Sequence, residues 1–163
     1  MSQVIERLRQ YKEDRGMMAN LRCILVETKK HRAWPVLNRL GLAINDEVPA
    51  YVAGLYATHP EETDKGNLGA TCLILDRERH EKPNKDKKLT TVERRFQHLL
   101  AAEKGPELCQ RVLRMVLRAK AEGVRINFGQ LERDLYFWGD RTKTEWAASF
   151  WIPGVSTETE EGA

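Results

Sequence analysis

The sequence predicts an all-α protein, and three observations carry this prediction. Apolar residues recur at helical spacing along most of the chain, no stretch has a convincing alternating strand pattern, and glycine or proline stands where helical runs stop. We predict a helical bundle of about eight or nine helices, arranged in two small packed lobes. The 163 residues, 41% of them hydrophobic, suffice for a core of roughly one domain.

Five helical runs are predicted in the first half of the chain. They lie near residues 4–11, 17–28, 34–40, 46–56 and 68–75. Gly16 separates the first two, Trp34-Pro35 begins the third, and Asp46 with Pro49 provides the start of the fourth. Residues 58–67 read as a loop. This half, 1–75, is predicted as the N-terminal lobe.

Residues 76–88 are almost wholly charged and contain Pro83-Asn84, which predicts an exposed linker between the lobes. The C-terminal lobe is predicted at 89–152 and a disordered acidic tail at 153–163. Four helices are expected in this lobe: one beginning near Thr91, one from Pro106 to Glu122-Gly123, one capped by Asn127 and reaching Trp138, and one from Gly139-Asp140 to before Pro153.

No catalytic or metal-binding signature is found. The chain has no phosphate-binding P-loop, no GxGxxG, no HExxH and no Gly-x-Ser-x-Gly. Its histidines are isolated, and Cys23, Cys72 and Cys109 lack ligand spacing and read as buried free thiols. We therefore predict a protein that is not an enzyme and has no cofactor and no metal.

The sequence predicts no association with a membrane. No apolar run approaches the ~20 residues of a membrane span. The N-terminus lacks the apolar core of a signal peptide. A cytoplasmic location is expected.

Positive charge is concentrated in the second half of the chain. Between Arg77 and Arg125 there are 14 Lys/Arg and 7 Asp/Glu, an excess of seven, although the whole chain has a net charge of only +3. On the helix that begins at Pro106, Arg111, Arg114 and Arg118 are spaced i, i+3, i+7 and span about 60° of the circumference. Arginine matches phosphate geometry and keeps its charge at physiological pH, so this stripe favours sequence-independent backbone binding.

An ordinary solvated helix surface accounts for the stripe equally well. Glu107 precedes Arg111 by four residues and Glu122 follows Arg118 by four, so both can form ion pairs within the helix. Arg114 has no acidic residue at either position. The tryptophans offer a similar choice between base stacking and burial; for Trp138 and Trp146 the apolar neighbours favour the core.

Residues 92–103, VERRFQHLLAAE, resemble a helix of the CasB family, the small subunit of the type I-E CRISPR surveillance complex Cascade. An Arg-bearing apolar helix, Ile126-Asn127-Phe128 and Phe137-Trp138 follow in the order typical of that family. Upstream, Arg32-Ala33-Trp34-Pro35, the aromatic helix at 51–56 and Leu68-Gly69 also stand in the expected order. The resemblance covers most of the chain and is specific from about Leu89 to Trp151.

The resemblance implies a wholly helical, non-catalytic subunit that helps to hold the displaced non-target strand of an R-loop. It implies as partners the displaced single-stranded DNA, the guide-RNA complex, the backbone and large subunits of Cascade, and a second copy of the chain. The candidate nucleic-acid-binding residues are Lys87, Lys88, Arg94, Arg95, Arg111, Arg114, Arg118, Lys120 and Arg125.

Arg94 and Arg95 match basic positions of the family most directly. Where related chains often have an arginine after Leu68-Gly69, this chain has Ala70-Thr71-Cys72, so Arg77, Arg79, Lys87 or Lys88 is expected to supply that charge. The alternative function is a helical assembly adaptor whose charged surface contacts protein subunits only.

Overall fold

A computed structural model describes residues 3–81 and 88–153, which form ten α-helices and two short 3-10 helices. The α-helices are α1 (Gln3–Gln10), α2 (Arg15–Arg22), α3 (Trp34–Arg39), α4 (Glu47–Thr58), α5 (Leu68–Leu75), α6 (Arg77–Glu81), α7 (Thr91–Ala101), α8 (Pro106–Glu122), α9 (Phe128–Tyr136) and α10 (Asp140–Trp151). The all-α prediction is confirmed. In these residues the only β contact is an isolated parallel bridge between Glu62 and Ile126.

Helix α6 accounts for the difference from the eight or nine helices that were predicted. It lies in the segment 76–88, which was predicted as an exposed linker, and the structure differs from that prediction at the start of the segment. Asp76 is fully buried, accepts a hydrogen bond from the Arg79 backbone N–H at 3.3 Å, and accepts another from the Thr90 hydroxyl at 2.9 Å. The Arg79 guanidinium also donates to the Phe150 carbonyl at 2.9 Å. Thr90 and Phe150 are distant in sequence from these residues, so the charged local sequence alone did not indicate the helix.

The second predicted run, 17–28, is shorter than expected as an α-helix. Helix α2 ends at Arg22, and the chain continues as the 3-10 helix Cys23–Leu25. The turn places Ile24 so close to α4 that a Cβ on Gly54 would lie 2.1 Å from Ile24 Cγ2. The helix is thus interrupted where the chain packs closely against a small residue of another helix.

One hydrophobic core connects the helices on both sides of residues 76–88. Helix α2 packs on α4, α4 on α9, and α5 on α10. The contact between α5 and α10 is so close that a Cβ on Gly69 of α5 would lie 2.2 Å from the backbone oxygen of Trp146. The division into lobes at 1–75 and 89–152 stays a prediction.

The predicted linker, 76–88, and the predicted acidic tail, 153–163, lie partly outside the described residues. Residues 82–87 and residues 154–163, which include most of the predicted acidic tail, are not described. Within 3–81 and 88–153, no helix is both long and apolar enough to cross a membrane.

Candidate nucleic-acid interface

Helices α7 and α8 line a cleft of about 430 Å³ that is rich in arginine. Its lining residues are Arg95 from α7 and Arg111, Arg114, Met115, Leu117 and Arg118 from α8. We call this surface the arginine cleft. The predicted stripe on α8 therefore lies beside one of the two arginines predicted on the preceding helix.

Local sequence determines how these two helices begin and end. Thr90 and Glu93 form a capping box at the start of α7: each side chain accepts a hydrogen bond of 3.0 Å from the other residue's backbone N–H. Pro106 occupies the first turn of α8, and Gly123 ends that helix in the left-handed region at φ 69°. The connection between the two helices is short, so they form an α-hairpin whose apolar faces enter the core.

Two of the cleft arginines are paired with carboxylates of their own helix. Arg111 donates to Glu107 Oε1 from Nε at 3.1 Å and from Nη2 at 3.0 Å. Arg118 Nε lies 3.4 Å from Glu122 Oε2. Glu122 also pairs with Arg77 of α6, whose Nε lies 2.9 Å from Oε1. Both intrahelical pairs that the spacing allowed are present.

The other two arginines of the cleft differ from Arg111 and Arg118 in their pairing. Arg95 and Arg114 are exposed, and in the described part of the chain neither forms an ion pair or a side-chain hydrogen bond. Neither Glu107 nor Glu122 lines the cleft. Among residues 3–81 and 88–153, its lining holds four guanidinium groups and no carboxylate. Met115 is buried, whereas Leu117 is 45% exposed and gives the cleft an apolar patch.

Arg94, Lys88, Lys120 and Arg125, the other predicted site residues that the structure describes, do not line the arginine cleft. Arg94 is exposed on α7 and donates to the Leu89 carbonyl at 3.3 Å. Lys120 is exposed on α8, and Lys88 is exposed before α7. Arg125 lines a different pocket, and Lys87 lies outside the described residues.

This second pocket, of about 600 Å³, combines charges of both signs. We call it the mixed-charge pocket. Its charged lining residues are Arg9 of α1, Glu62 and Asp64 of the loop before α5, Arg125, and Arg133 of α9. No local pattern in the sequence indicates this pocket, because its residues come from three separate parts of the chain.

A bidentate ion pair lies at the mixed-charge pocket. Arg9 Nε and Nη2 each donate to a different oxygen of Glu62 at 2.8 Å. The hydrogen bond and charge of Glu62 raise the pKa of Arg9. Burial, reinforced by the Glu62 charge, raises the pKa of Tyr56, whose hydroxyl lies 3.4 Å from Glu62, to about 12. Arg9 therefore has a structural role, because it links α1 to the loop before α5.

The tryptophans serve mainly as structural anchors. Trp146 is fully buried and donates to Asp134 Oδ2 at 2.7 Å, while burial raises the pKa of Asp134. Trp138 is half-buried just beyond the end of α9 and donates to the Ala102 carbonyl at 2.9 Å. Trp151, also half-buried, donates to Glu93 at 2.9 Å, and Trp34 is 39% exposed.

The cysteines are free thiols in the structure. Cys72 is buried, as predicted, whereas Cys23 and Cys109 are only half-buried. Burial raises the pKa of Cys72 and that of Cys109, the latter to about 11. Across residues 3–81 and 88–153, no three His, Cys, Asp or Glu side chains are grouped so that they could hold a metal ion.

Fold and cleft together define a class: a wholly helical protein with a cationic cleft on a helical hairpin. Comparisons with known proteins identify its family. The profile of the family described as CRISPR-associated protein Cse2 matches residues 17–151. No curated protein sequence matches the chain.

Two crystal structures from Thermus thermophilus resemble this fold. One is CasB, with 20% sequence identity and a TM-score of 0.69. The other is a CRISPR-associated protein of the Cse2 family from the same species, with 21% identity and a TM-score of 0.71. Each match covers 91% of this chain and 95% of the other. The chain belongs to the Cse2 family, also called CasB, and is a subunit of the CRISPR complex Cascade.

Proposed function

We propose that this chain is the non-catalytic small subunit of a CRISPR-guided DNA surveillance complex. In this role it binds nucleic-acid backbone without sequence specificity and stabilises the displaced non-target strand of the R-loop. The observation that carries the proposal is the arginine cleft, where four guanidinium groups from two helices share one surface that no carboxylate of the described residues lines.

The chemistry of the cleft favours phosphate over bases. Guanidinium groups bind phosphate oxygens through paired N–H donors, and such contacts fix position without reading sequence. Arg95 and Arg114, which no described residue pairs, attract a polyanion by releasing its counterions. The exposed Leu117 adds apolar surface that any base or sugar can contact, which also favours tolerance of sequence.

A weak, nonspecific contact is sufficient for this role. Exchange of a DNA duplex for an RNA–DNA heteroduplex is nearly balanced in free energy, so contacts to the displaced strand can shift the equilibrium. The proposed partners are therefore the displaced strand and the guide-RNA complex, together with the backbone subunits, the large subunit and a second copy of this chain. The proposed location is the cytoplasm.

Binding by the free protein is the first test. We expect weak binding of an oligothymidylate of about 20 nucleotides, measured by fluorescence anisotropy. If the four cleft arginines neutralise four phosphates, the logarithm of the association constant falls with the logarithm of salt concentration with a slope of about −3. Binding that ignores salt, or no binding at low salt, contradicts the proposal.

Charge reversal inside the complex is the decisive test. We expect R111E/R114E/R118E to shorten the R-loop lifetime at least about tenfold while the complex still assembles. The matched control is K12E/R15E/K29E, which reverses three exposed cations outside the cleft. Both variants change the net charge from +3 to −3, since each reversal subtracts two. Equal R-loop lifetimes for the two variants sink the assignment of the cleft.

Two exposed aromatic side chains favour the alternative, a helical assembly adaptor that contacts protein only. At the end of α9, Tyr136 is 52% and Phe137 69% exposed. The Phe137 backbone is held on both sides, because its N–H donates to the Arg133 carbonyl at 3.0 Å and its carbonyl accepts from Thr142 at 3.1 Å. Rigidly presented aromatic side chains are typical of protein–protein hot spots.

Substitutions separate the two functions. The adaptor alternative expects Y136A/F137A and the cleft variant R111E/R114E/R118E both to prevent co-purification with the other Cascade subunits. It also expects the free protein to bind negligible DNA. The proposed function expects the cleft variant to co-purify normally. A nuclease assay of the isolated chain with divalent metals is expected to show no turnover.

A further inference from the structure

Glu122 stands at one end of the arginine cleft and contacts two arginines. Its Oε1 lies 2.9 Å from Arg77 Nε, and its Oε2 lies 3.4 Å from Arg118 Nε. The first distance is that of a good charge-assisted hydrogen bond, and the second is longer. Arg77 belongs to α6 and does not line the cleft, whereas Arg118 does.

The contact between Glu122 and Arg118 is shielded from water but poorly formed. Both facing atoms, Arg118 Nε and Glu122 Oε2, are buried, and within the described residues neither has a hydrogen bond. A buried donor and acceptor without a hydrogen bond are unfavourable, so this pair gains less than its proximity allows. The Arg118 side chain is nevertheless 35% exposed, so part of it stays accessible from solvent.

We propose that Glu122 competes with nucleic-acid phosphate for Arg118. In the free protein the carboxylate holds the guanidinium at the end of the cleft. When a phosphate binds, Arg118 exchanges the carboxylate for the phosphate, and Glu122 keeps Arg77 as its partner. This inference rests on the proposed function and deepens it, because it names a residue that regulates the affinity of the cleft.

The competition divides the four arginines of the cleft into two sets. Arg95 and Arg114 have no competing carboxylate among the described residues, whereas Arg111 and Arg118 must first release Glu107 and Glu122. The two carboxylates differ in burial: the Glu107 side chain is 63% exposed and the Glu122 side chain 20%. Glu107 makes the better hydrogen bonds, but its charge is screened by water. The charge of Glu122 is screened less, so it opposes a phosphate at the cleft more strongly although its hydrogen bond to Arg118 is not formed.

Three isosteric substitutions, each removing one negative charge, test this inference. With an oligothymidylate of about 20 nucleotides as the probe, we expect E122Q to tighten binding about threefold and E107Q less than about twofold. The control is E145Q, which breaks the exposed pair with Arg141 outside the cleft, and it is expected to match the wild type within error. Thermal melts followed by circular dichroism check that each variant is folded.

A double-mutant cycle with R118Q shows whether the effect passes through Arg118. We expect E122Q to lose its tightening effect in the R118Q background and to retain it in the R94Q background, since Arg94 does not line the cleft. If E122Q does no more than E145Q, or acts equally in both backgrounds, the inference is wrong while the proposed function stands. If the wild-type chain does not bind the probe, the proposed function and this inference fail together.

Discussion

The arginine cleft and the mixed-charge pocket contain similar numbers of arginines but differ in how those arginines are paired. Four arginines line the cleft, and the two carboxylates that pair with them, Glu107 and Glu122, stand outside the lining. In the pocket, Arg9, Arg125 and Arg133 share the lining with Glu62 and Asp64. On the proposed function, the position of the carboxylates, and not the count of arginines, separates a surface suited to a polyanion from a structural contact.

Reversal of two arginine charges at each site, in separate variants, tests this difference most strongly. We expect R95E/R114E to weaken binding of oligothymidylate about tenfold or more, because it reverses the two cleft charges that no described residue pairs. The matched variant R125E/R133E reverses two exposed cations of the mixed-charge pocket. Each changes the net charge from +3 to −1, since two reversals subtract four. Anisotropy titrations at one salt concentration measure both.

The expected change for R125E/R133E is less than about twofold, because the nearby carboxylates already oppose a phosphate. A loss equal to that of R95E/R114E contradicts the comparison. An equal loss means that nucleic acid contacts both sites, or that its binding responds only to the net charge of the protein.

The two sites also differ in their contribution to stability. We expect Arg9→Gln to lower the free energy of unfolding by about 0.5–1 kcal/mol, because it breaks the bidentate contact with Glu62 at a half-exposed site. Arg114→Gln is expected to leave the free energy of unfolding within error, since Arg114 has no ion pair among the described residues. Urea denaturation measures both. Equal destabilisation by the two substitutions refutes the division of roles.

The smallest expected effect concerns the helix that carries Arg95. Burial opposes ionisation of Glu93, but hydrogen bonds from Thr90 and Trp151 and the charge of Arg79 outweigh it and lower the pKa. A lowered pKa in the folded state adds stability that is present above the ordinary pKa of glutamate and is lost as the pH falls through the lowered value. We expect the stability difference between wild type and Glu93→Gln, measured by urea denaturation, to shrink between about pH 5 and pH 3.

A constant difference between wild type and Glu93→Gln over that range contradicts the assignment of the shift. Glu93 belongs to the capping box of α7, so this titration reports on the helix that carries Arg95.

Helix positions were the most predictable feature of this fold. The predicted runs at 68–75 and from Pro106 to Glu122 coincide with α5 and α8, because apolar periodicity, Pro106 and Gly123 are local signals. Helix α6 escaped prediction because its sequence is charged throughout and its contacts, from Arg79 to Phe150 and from Asp76 to Thr90, join distant residues. The Asn127-capped helix ends at Tyr136, two residues before the predicted Trp138.

The candidate site also has features that the sequence predicted and features that it did not. Spacing on one helix predicted the stripe of Arg111, Arg114 and Arg118 and both intrahelical carboxylate partners. No spacing rule distinguished Arg94 from Arg95, and only Arg95 lines the cleft. Arg125, predicted as a nucleic-acid-binding residue beyond the stripe, lines the mixed-charge pocket, because the chain leaves α8 at Gly123 and turns toward residues 61–63.

The sequence by itself determined the helical class, most helix boundaries and the stripe of arginines, since each depends on residues a few positions apart. Only the tertiary structure decided which carboxylates neutralise which arginines across helices. The contacts of Arg77 with Glu122 and of Arg9 with Glu62 join residues more than forty positions apart, which no local period encodes. Whether an arginine is free to bind phosphate depends on such contacts, because a charge already paired in the fold has less to gain from a ligand.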